Sequence, residues 1–485
     1  MGARQVNSRP DAPPSHSRLL VSVLCAAGVS VSLMQTLLIP IIPELPKLLD
    51  TGASNASWAI TATLLTAAVA TPVFGRLGDM YGPKPMLISC AVLLTLGSLL
   101  AAVTTSLLPL IVGRGLQGFG IPIIPLGISV MRSCVPPERV GSAMGMMSAS
   151  LGVGGALGLP LAALIAQNYD WHALFWFGAG LGVAALLAFV FLVPHLPPRS
   201  NDRFDPVGAV LLAVALVTLL LPISKGGIWG WTSAMTLILF GCSAVTFVVF
   251  AGWQLRVSAP IVDLRTTVRR PVLTTNLASI AVAFAMFAMS LVAPQVLELP
   301  PSTGYGLGQS MVQTGLWLAP GGVAMMLTSP VAARVAARRG YKFTLVTGCL
   351  IIAAAYLMGL KLLETAPGVL VLNFLVAVGV GFAFASMPAL INAAVPMSET
   401  AAANGINSLA RSFGTSVASA VIGAVLAGMT VTVAGHEAPT LAGIQVALLI
   451  AAGAAVVAAG LTLLIPTDRP AAVEPAPEPA ATVRG

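Results

Sequence analysis

From residue 19 onwards the chain alternates between long apolar runs and short polar connections. A bilayer core about 30 Å thick is crossed by roughly 20 residues of helix rising about 1.5 Å each, and a window of that length predicts fourteen spanning segments. They fall at 19–43, 55–74, 86–105, 107–131, 140–166, 172–193, 206–223, 232–254, 271–296, 310–332, 343–363, 367–391, 400–430 and 440–465. The first is too long for a signal peptide, reaches Pro43 and Glu44 without a clear small-residue cleavage site and follows a polar arm over 1–18, so it is expected to stay in the mature protein. The tail over 466–485, rich in Pro, Ala and Glu, is expected to be disordered and cytosolic.

Basic residues orient the segments, because cytosolic connections of membrane proteins carry an excess of Lys and Arg. With the N-terminus in the cytosol, nineteen of the 24 basic residues fall inside; Lys47, Lys225 and Lys361 fall outside, and Arg114 and Arg411 lie within segments. One missed helix would invert every later connection, so the asymmetry supports the count and places both termini in the cytosol. Trp58, Trp171, Trp229 and Trp231 sit at the outer ends, as in an aromatic belt.

Composition narrows the class further. Of 485 residues 57% are hydrophobic and 8% charged, whereas soluble domains carry about a quarter charged residues. Cys25, Cys90, Cys134, Cys242 and Cys349 are isolated, with neither the spacing nor the neighbouring His of a metal site. The net charge of +8 is spread between apolar segments rather than gathered in a run, which argues against a nucleic-acid partner. The expected fold class is an all-α integral membrane protein.

The sequence also repeats itself. Pro72, Val73, Arg76, Gly82 and Lys84 recur as Pro330, Val331, Arg334, Gly340 and Lys342, at an offset of 258 residues; Pro136, Gly145, Ser148 and Gly154 recur as Pro396, Gly405, Ser408 and Gly414, at 260. The matches join segments 2 and 10 and segments 5 and 13. Partners eight segments apart imply two six-helix halves, over 19–193 and 261–465, with a pair of helices inserted over 194–260. Parallel halves imply rocking about a central site.

Four stretches carry candidate chemistry. The connection after segment 2 reads Gly75-Arg76-Leu77-Gly78-Asp79-Met80-Tyr81-Gly82-Pro83-Lys84; its glycines allow a tight turn, and Asp79 can cap a helix end or pair with arginines across the cytosolic face. Segment 4 carries Gly113-Arg114-Gly115-Leu116-Gln117-Gly118, with Arg114 about 10 Å below the outer face. An arginine there either faces a cavity or partner, or snorkels to the headgroups. Segment 5 carries Gly145, Gly154, Gly158 and Pro160, small residues for close packing and a proline that can bend the helix. In segment 13, Asn404, Asn407, Ser408, Arg411 and Thr415 form one polar stripe, which lines a central cavity or glues a helix contact.

The stretch from Gly75 to Lys84 resembles the G-x-L-x-D-x-x-G-x-K/R signature of the major facilitator superfamily. Arg114, Gln117 and Gly118 resemble the R-x-x-Q-G element of its antiporters, and Trp171-His172-Ala173-Leu174-Phe175 and Phe204-Asp205-Pro206-Val207-Gly208 resemble parts of its fourteen-helix drug:proton antiporter branch. The resemblance covers nearly the whole chain and implies a major facilitator fold arranged as 6 + 2 + 6 helices. Segment 5 is similar to the antiporter element G-x8-G-x3-G-P-x2-G-G, with the proline one place late and Ala162-Ala163 for the last glycine pair. Segment 1 departs furthest: Met34 stands where that branch has a membrane-embedded Asp and Ile39 where it has Asn, while the neighbouring Gln35 cannot titrate.

All 16 acidic residues fall in connections, tails or segment ends. Glu44 and Glu298 near the outer face and Asp79 near the inner one are the candidate proton carriers. The expected function is export of an amphipathic small molecule, drug or metabolite, coupled to protons. The expected cavity includes Met34, Gln35, Asn404, Asn407 and Arg411. Two buried cations without a buried anion favour a neutral or anionic substrate. An uptake carrier or facilitator on the same fold is the alternative, suggested by the missing Asp; a lipid-modifying enzyme is a more distant one, because His16, His172, His195 and His436 are scattered. No G-x4-G-K-S/T loop occurs. No cofactor, metal or nucleic acid is expected, and the protein is expected to be a monomer in the plasma membrane.

Overall fold

The computed structural model describes residues 14–38, 41, 45–51, 53–56, 58–198, 203–433 and 436–466; most of the N-terminal arm, Glu44 and the tail after Pro466 lie outside the described residues. Among the described residues fourteen helices are long and apolar enough to cross a membrane. They are α1 (Pro14–Thr36), α2 (Trp58–Tyr81), α3 (Pro83–Val103), α4 (Leu107–Cys134), α5 (Pro137–Asn168), α6 (His172–Leu192) and α7 (Pro206–Trp229). The second seven are α8 (Ala234–Gln254), α9 (Arg270–Glu298), α10 (Met311–Arg339), α11 (Tyr341–Leu362), α12 (Ala366–Ala394), α13 (Thr400–Gly428) and α14 (Leu441–Leu463).

Local chemistry sets many of the starts. Pro83, Pro137, Pro206 and Pro271 occupy first-turn positions, where a missing N–H costs nothing. The side chains of Asp205, Ser233, Thr365 and Thr440 accept hydrogen bonds from first-turn amides of α7, α8, α12 and α14. Ser310 and Gln313 form a capping box at the start of α10.

Several boundaries differ from those expected; α7 and α10, for example, run on to Trp229 and Arg339. α1 ends at Thr36 rather than residue 43. α2 continues through most of the expected loop, to Tyr81; the break comes at Gly82, whose φ of 89° favours glycine. α13 stops at Gly428, and Thr430–Val433 pairs antiparallel with His436–Pro439 before α14. Lys225, expected in an outer connection, lies in α7, buried, with its Nζ 4.7 Å from the ring centre of Trp58 on α2.

The helix ends form two faces of the bundle. One, here the basic end, carries the ends of α2, α4, α6 and α10 with Arg76, Arg132, Arg338 and Arg339. One apolar cluster spans α1 to α6 and a second spans α9 to α14. α7 packs on α2 and α13, and α8 rests on α7 with Leu237, Ile238, Val245 and Val248 exposed on its apolar surface. Buried Asp205 ties this pair together by accepting from Trp253 Nε1 at 3.1 Å and Gln254 Nε2 at 2.8 Å.

The two repeat copies do the same work. Gly82 and Gly340 both have positive φ, 89° and 85°. Lys84 Nζ donates to Val190 O at the end of α6, at 2.8 Å. Lys342 Nζ donates to Leu463 O and Ile465 O at the end of α14, at 2.8 and 2.6 Å. Each lysine places a cation on the terminal carbonyls of the last helix of its own cluster, where the helix dipole favours it.

Candidate functional site

Between the two helical clusters lies a cavity of about 300 Å³, at the lower end of the ligand-pocket range. Ser32, Gln35 and Thr36 of α1 and Leu151, Gly152 and Gly155 of α5 line one side; Met286 and Phe287 of α9, Met325 of α10, Phe384 of α12 and Ser408, Arg411 and Thr415 of α13 line the other. Arg411 carries the one charge among the described lining residues. It is 5% exposed, its Nη1 donates to Asn407 Oδ1 at 3.2 Å, and its guanidinium carbon lies 5.0 Å from the ring centre of Phe384.

The polar stripe of α13 divides along its length. Ser408, Arg411 and Thr415 face the cavity. Asn404 and Asn407 instead make helix contacts: Asn404 Nδ2 donates to Asn392 Oδ1 of α12 at 2.7 Å, and Asn407 Nδ2 donates to Asn276 Oδ1 and Ser279 Oγ of α9 at 3.0 and 2.7 Å. The expectation that these two asparagines line the cavity is therefore corrected. α13 touches several helices, and each takes part of the stripe. Asn407 still reaches the site indirectly, because it orients Arg411.

Met34 is also corrected. It is buried away from the cavity, with its side chain beside Gly178 of α6, whereas the adjacent Gln35 lines the cavity; neighbours in a helix point about 100° apart. Its carbonyl meets Arg114. Arg114 Nη1 donates to Met34 O at 3.3 Å and Gln117 Oε1 at 2.6 Å, and Nε to Ala59 O at 3.1 Å. Gln117 Nε2 then donates to Ser98 Oγ at 2.9 Å. Arg114, 2% exposed, neither snorkels nor faces the cavity; it sits among α1, α2 and α3 and meets carbonyl oxygens, including one at the electronegative C-terminus of α1.

The helix 5 residues hold neighbouring elements together. Gly154 and Gly158 abut α1 at Ser32 and Thr36, Pro160 meets Gly315 of α10, and Gly145 faces α12, where a Cβ would lie 2.7 Å from Ala385 Cβ. Gly118 of α4 likewise abuts α2 at Thr63.

At the basic end the clusters are joined across their seam. Asp79 is fully buried and accepts hydrogen bonds from the backbone amides of Ala401 and Ala402, at 3.2 and 2.9 Å, in the first turn of α13. A carboxylate there meets unpaired amides and the positive end of the helix dipole. Gly75 makes the approach possible, since a Cβ would lie 2.9 Å from Ala401 O. Gly78 packs on Leu126. Arg132 completes the seam, donating to Thr400 Oγ1 and, at 2.6 Å, to Asn392 O near the end of α12. Arg76 is buried and lines a separate cavity of about 160 Å³ with Asp263 and Glu399.

Arg132, Asn276, Ser279, Phe384 and Asn392 were not singled out from the sequence. Arg132 entered only as one basic residue of a cytosolic connection, although its place at the end of an apolar run was a usable signal. Glu298 is exposed at the end of α9, away from the central cavity, and Glu44 lies outside the described residues. No described carboxylate lines that cavity, and no three described His, Cys, Asp or Glu residues are grouped as metal ligands.

A family model described as Major Facilitator Superfamily matches residues 24–419. The multidrug resistance protein Stp of Mycobacterium tuberculosis is 27% identical over 419 residues, covering 85% of this chain and 76% of that protein. The multidrug resistance protein B homolog of the same organism is 27% identical over 347 residues, 70% of this chain and 63% of its own length, so the chain spans less than two thirds of that relative. The tetracenomycin C resistance and export protein of Streptomyces glaucescens is 27% identical over 83% of this chain and 74% of its own. Among solved structures, the human organic anion transporter MFSD10 superposes with a TM-score of 0.65 at 16% identity, covering 93% of this chain and all of the other; that likeness is one of fold alone.

Proposed function

Because this chain belongs to the Major Facilitator Superfamily, whose members are membrane transporters and not enzymes, we propose that it exports an amphipathic small molecule by alternating access. The observation that carries this reading is the cavity between the two helical clusters, backed at the basic end by the Asp79 and Arg132 contacts. The halves over 19–193 and 261–465 are the moving bodies, and the inserted pair over 194–260 rides at their seam. The excess of Lys and Arg supports a cytosolic basic end and cytosolic termini, and we take the plasma membrane as the location. On that assignment the seam is a cytosolic latch that opens to admit substrate and closes before release outside.

Export rather than uptake is supported by relatives whose names record multidrug resistance and tetracenomycin C export. Met286, Phe287, Met325 and Phe384 give the cavity adaptable apolar walls, and Gln35, Ser408 and Thr415 add hydrogen-bonding groups. We assign protons as the coupling ion, with Glu44, Asp79 and Glu298 as the carriers to test, and a monomer as the working unit. The alternative of a facilitator is favoured by one observation, the lack of a described carboxylate on the cavity wall.

Inside-out membrane vesicles given an imposed pH gradient, acid inside, separate the two readings. Accumulation of a lipophilic probe that collapses with an uncoupler supports proton-driven export, whereas gradient-independent equilibration supports the facilitator. Orientation is tested by single cysteines at Thr232 and Ser258 in a cysteine-free background. The first is expected to react from outside the cell and the second only from inside.

A further inference from the structure

Arg411 is a cation placed where little in the protein answers it. It is 95% buried by its 5% exposure, and among the described residues its one hydrogen bond is Nη1 to Asn407 Oδ1 at 3.2 Å. Nε is shielded and, among the described residues, neither Nε nor Nη2 has an acceptor. Asn407 is itself fixed by Asn276 and Ser279, and Phe384 supports the guanidinium at 5.0 Å. The arginine is therefore oriented from one side while the edge formed by Nε and Nη2 stays unpaired. Those two N–H groups are parallel and spaced to meet both oxygens of a carboxylate.

A buried donor edge without acceptors is costly unless something pairs with it. Arg114 shows the contrast within the same chain, because Ala59 O, Met34 O and Gln117 Oε1 surround it. Arg411, unlike Arg114, lines the central cavity, and no described acidic residue lies on that wall to neutralise it.

We infer that Arg411 is the substrate-charge selector, and that the transported molecule is an amphipathic carboxylate that pairs with the guanidinium where it lines the cavity while its apolar or aromatic body lies against Phe384, Phe287 and Met286. This inference rests on the transporter reading above and names its substrate class. A cationic amphiphile would meet a buried like charge without a carboxylate to offset it. A neutral amide would keep the apolar contacts and lose the charge-assisted pair.

The test uses three probes on one ring system: 1-naphthaleneacetate, its primary amide, and 2-(1-naphthyl)ethylamine. Binding to the full chain in nanodiscs of uncharged lipid is measured by isothermal titration at neutral pH, where no gradient can distribute the acid or the amine. The wild type is expected to bind the acid about 10- to 100-fold more tightly than the amide and to bind the amine most weakly. Arg411→Gln is expected to lose the acid preference, binding acid and amide alike. Arg411→Lys is expected to retain part of the preference, because the charge stays and the fork is lost. Equal binding of acid and amide by the wild type, or tighter binding of the amine, overturns the carboxylate assignment and leaves the transporter reading standing. An unchanged acid preference in Arg411→Gln overturns the role of Arg411. Failure of all three probes to bind the wild type overturns this cavity as the site for the class. Should either variant fail to fold, the wild-type comparison alone decides the substrate charge.

Discussion

Replacing Asp79 by Asn keeps the shape of the side chain and removes the charge at the seam of the two halves. The carboxylate accepts from Ala401 N at 3.2 Å and Ala402 N at 2.9 Å while fully buried. A hydrogen bond to a charged group contributes about 1.5–3 kcal/mol, and a charge at a helix N-terminus adds about 0.3–1 kcal/mol or more when buried. Asn can accept one of the two bonds, but its NH₂ would then face the other amide as donor against donor. The net loss is about 2–3 kcal/mol, which at about 1.4 kcal/mol per factor of ten shifts the latch equilibrium roughly 30- to 150-fold towards the open basic end. Arg132 still holds Thr400 and Asn392, so the variant is expected to fold and insert. Spin labels at exposed Tyr81 and Met397, read by double electron–electron resonance, report the change directly: a longer-distance population should appear in Asp79→Asn, with a slower transport cycle. A distance distribution and transport rate identical to wild type in the folded variant would refute the latch.

Two further substitutions probe the N-terminal half. Arg114→Met removes three donated hydrogen bonds and leaves Met34 O, Ala59 O and Gln117 Oε1 with fewer partners; a stability loss of about 2–5 kcal/mol should appear as a lower unfolding temperature in lipid, and unchanged melting would show that the carbonyl cage contributes nothing. Met34→Asp introduces a titratable group in a helix that touches Arg114, and transport against pH should become steeper than in wild type or in the uncharged control Met34→Asn. Indistinguishable profiles for the Asp and Asn variants would sever that site from coupling.

Helix number was legible because hydropathy and basic residues answer independent questions, one about length and the other about parity. The repeat was legible too: Gly82 and Gly340, and Lys84 and Lys342, adopt matching conformations and contacts. Other features depended on information that sequence spacing lacks. Helical periodicity put Asn404, Asn407, Ser408, Arg411 and Thr415 on one stripe, but could not tell which would meet α9, α12 or the cavity. Lys225 was expected in an outer connection because the apolar window closed at residue 223, whereas α7 continues past it and buries the lysine against Trp58. Arg114 meets Met34 through the Met34 carbonyl, a backbone contact that comparison of side chains does not register.

Alternating access makes its sharpest demand at the basic end, where Gly141 of α5 and Tyr341 of α11 face each other across the seam, and a Cβ at Gly141 would lie 2.7 Å from the tyrosine hydroxyl. With Cys25, Cys90, Cys134, Cys242 and Cys349 replaced by Ser, Gly141→Cys and Tyr341→Cys can be bridged by a short bis-methanethiosulfonate and released by reductant. Transport of a bound probe in proteoliposomes should stop when the bridge forms, while each single-cysteine control keeps its rate, and should return on reduction. Transport that continues at the unbridged rate in fully cross-linked protein would contradict movement of the two halves about the central cavity.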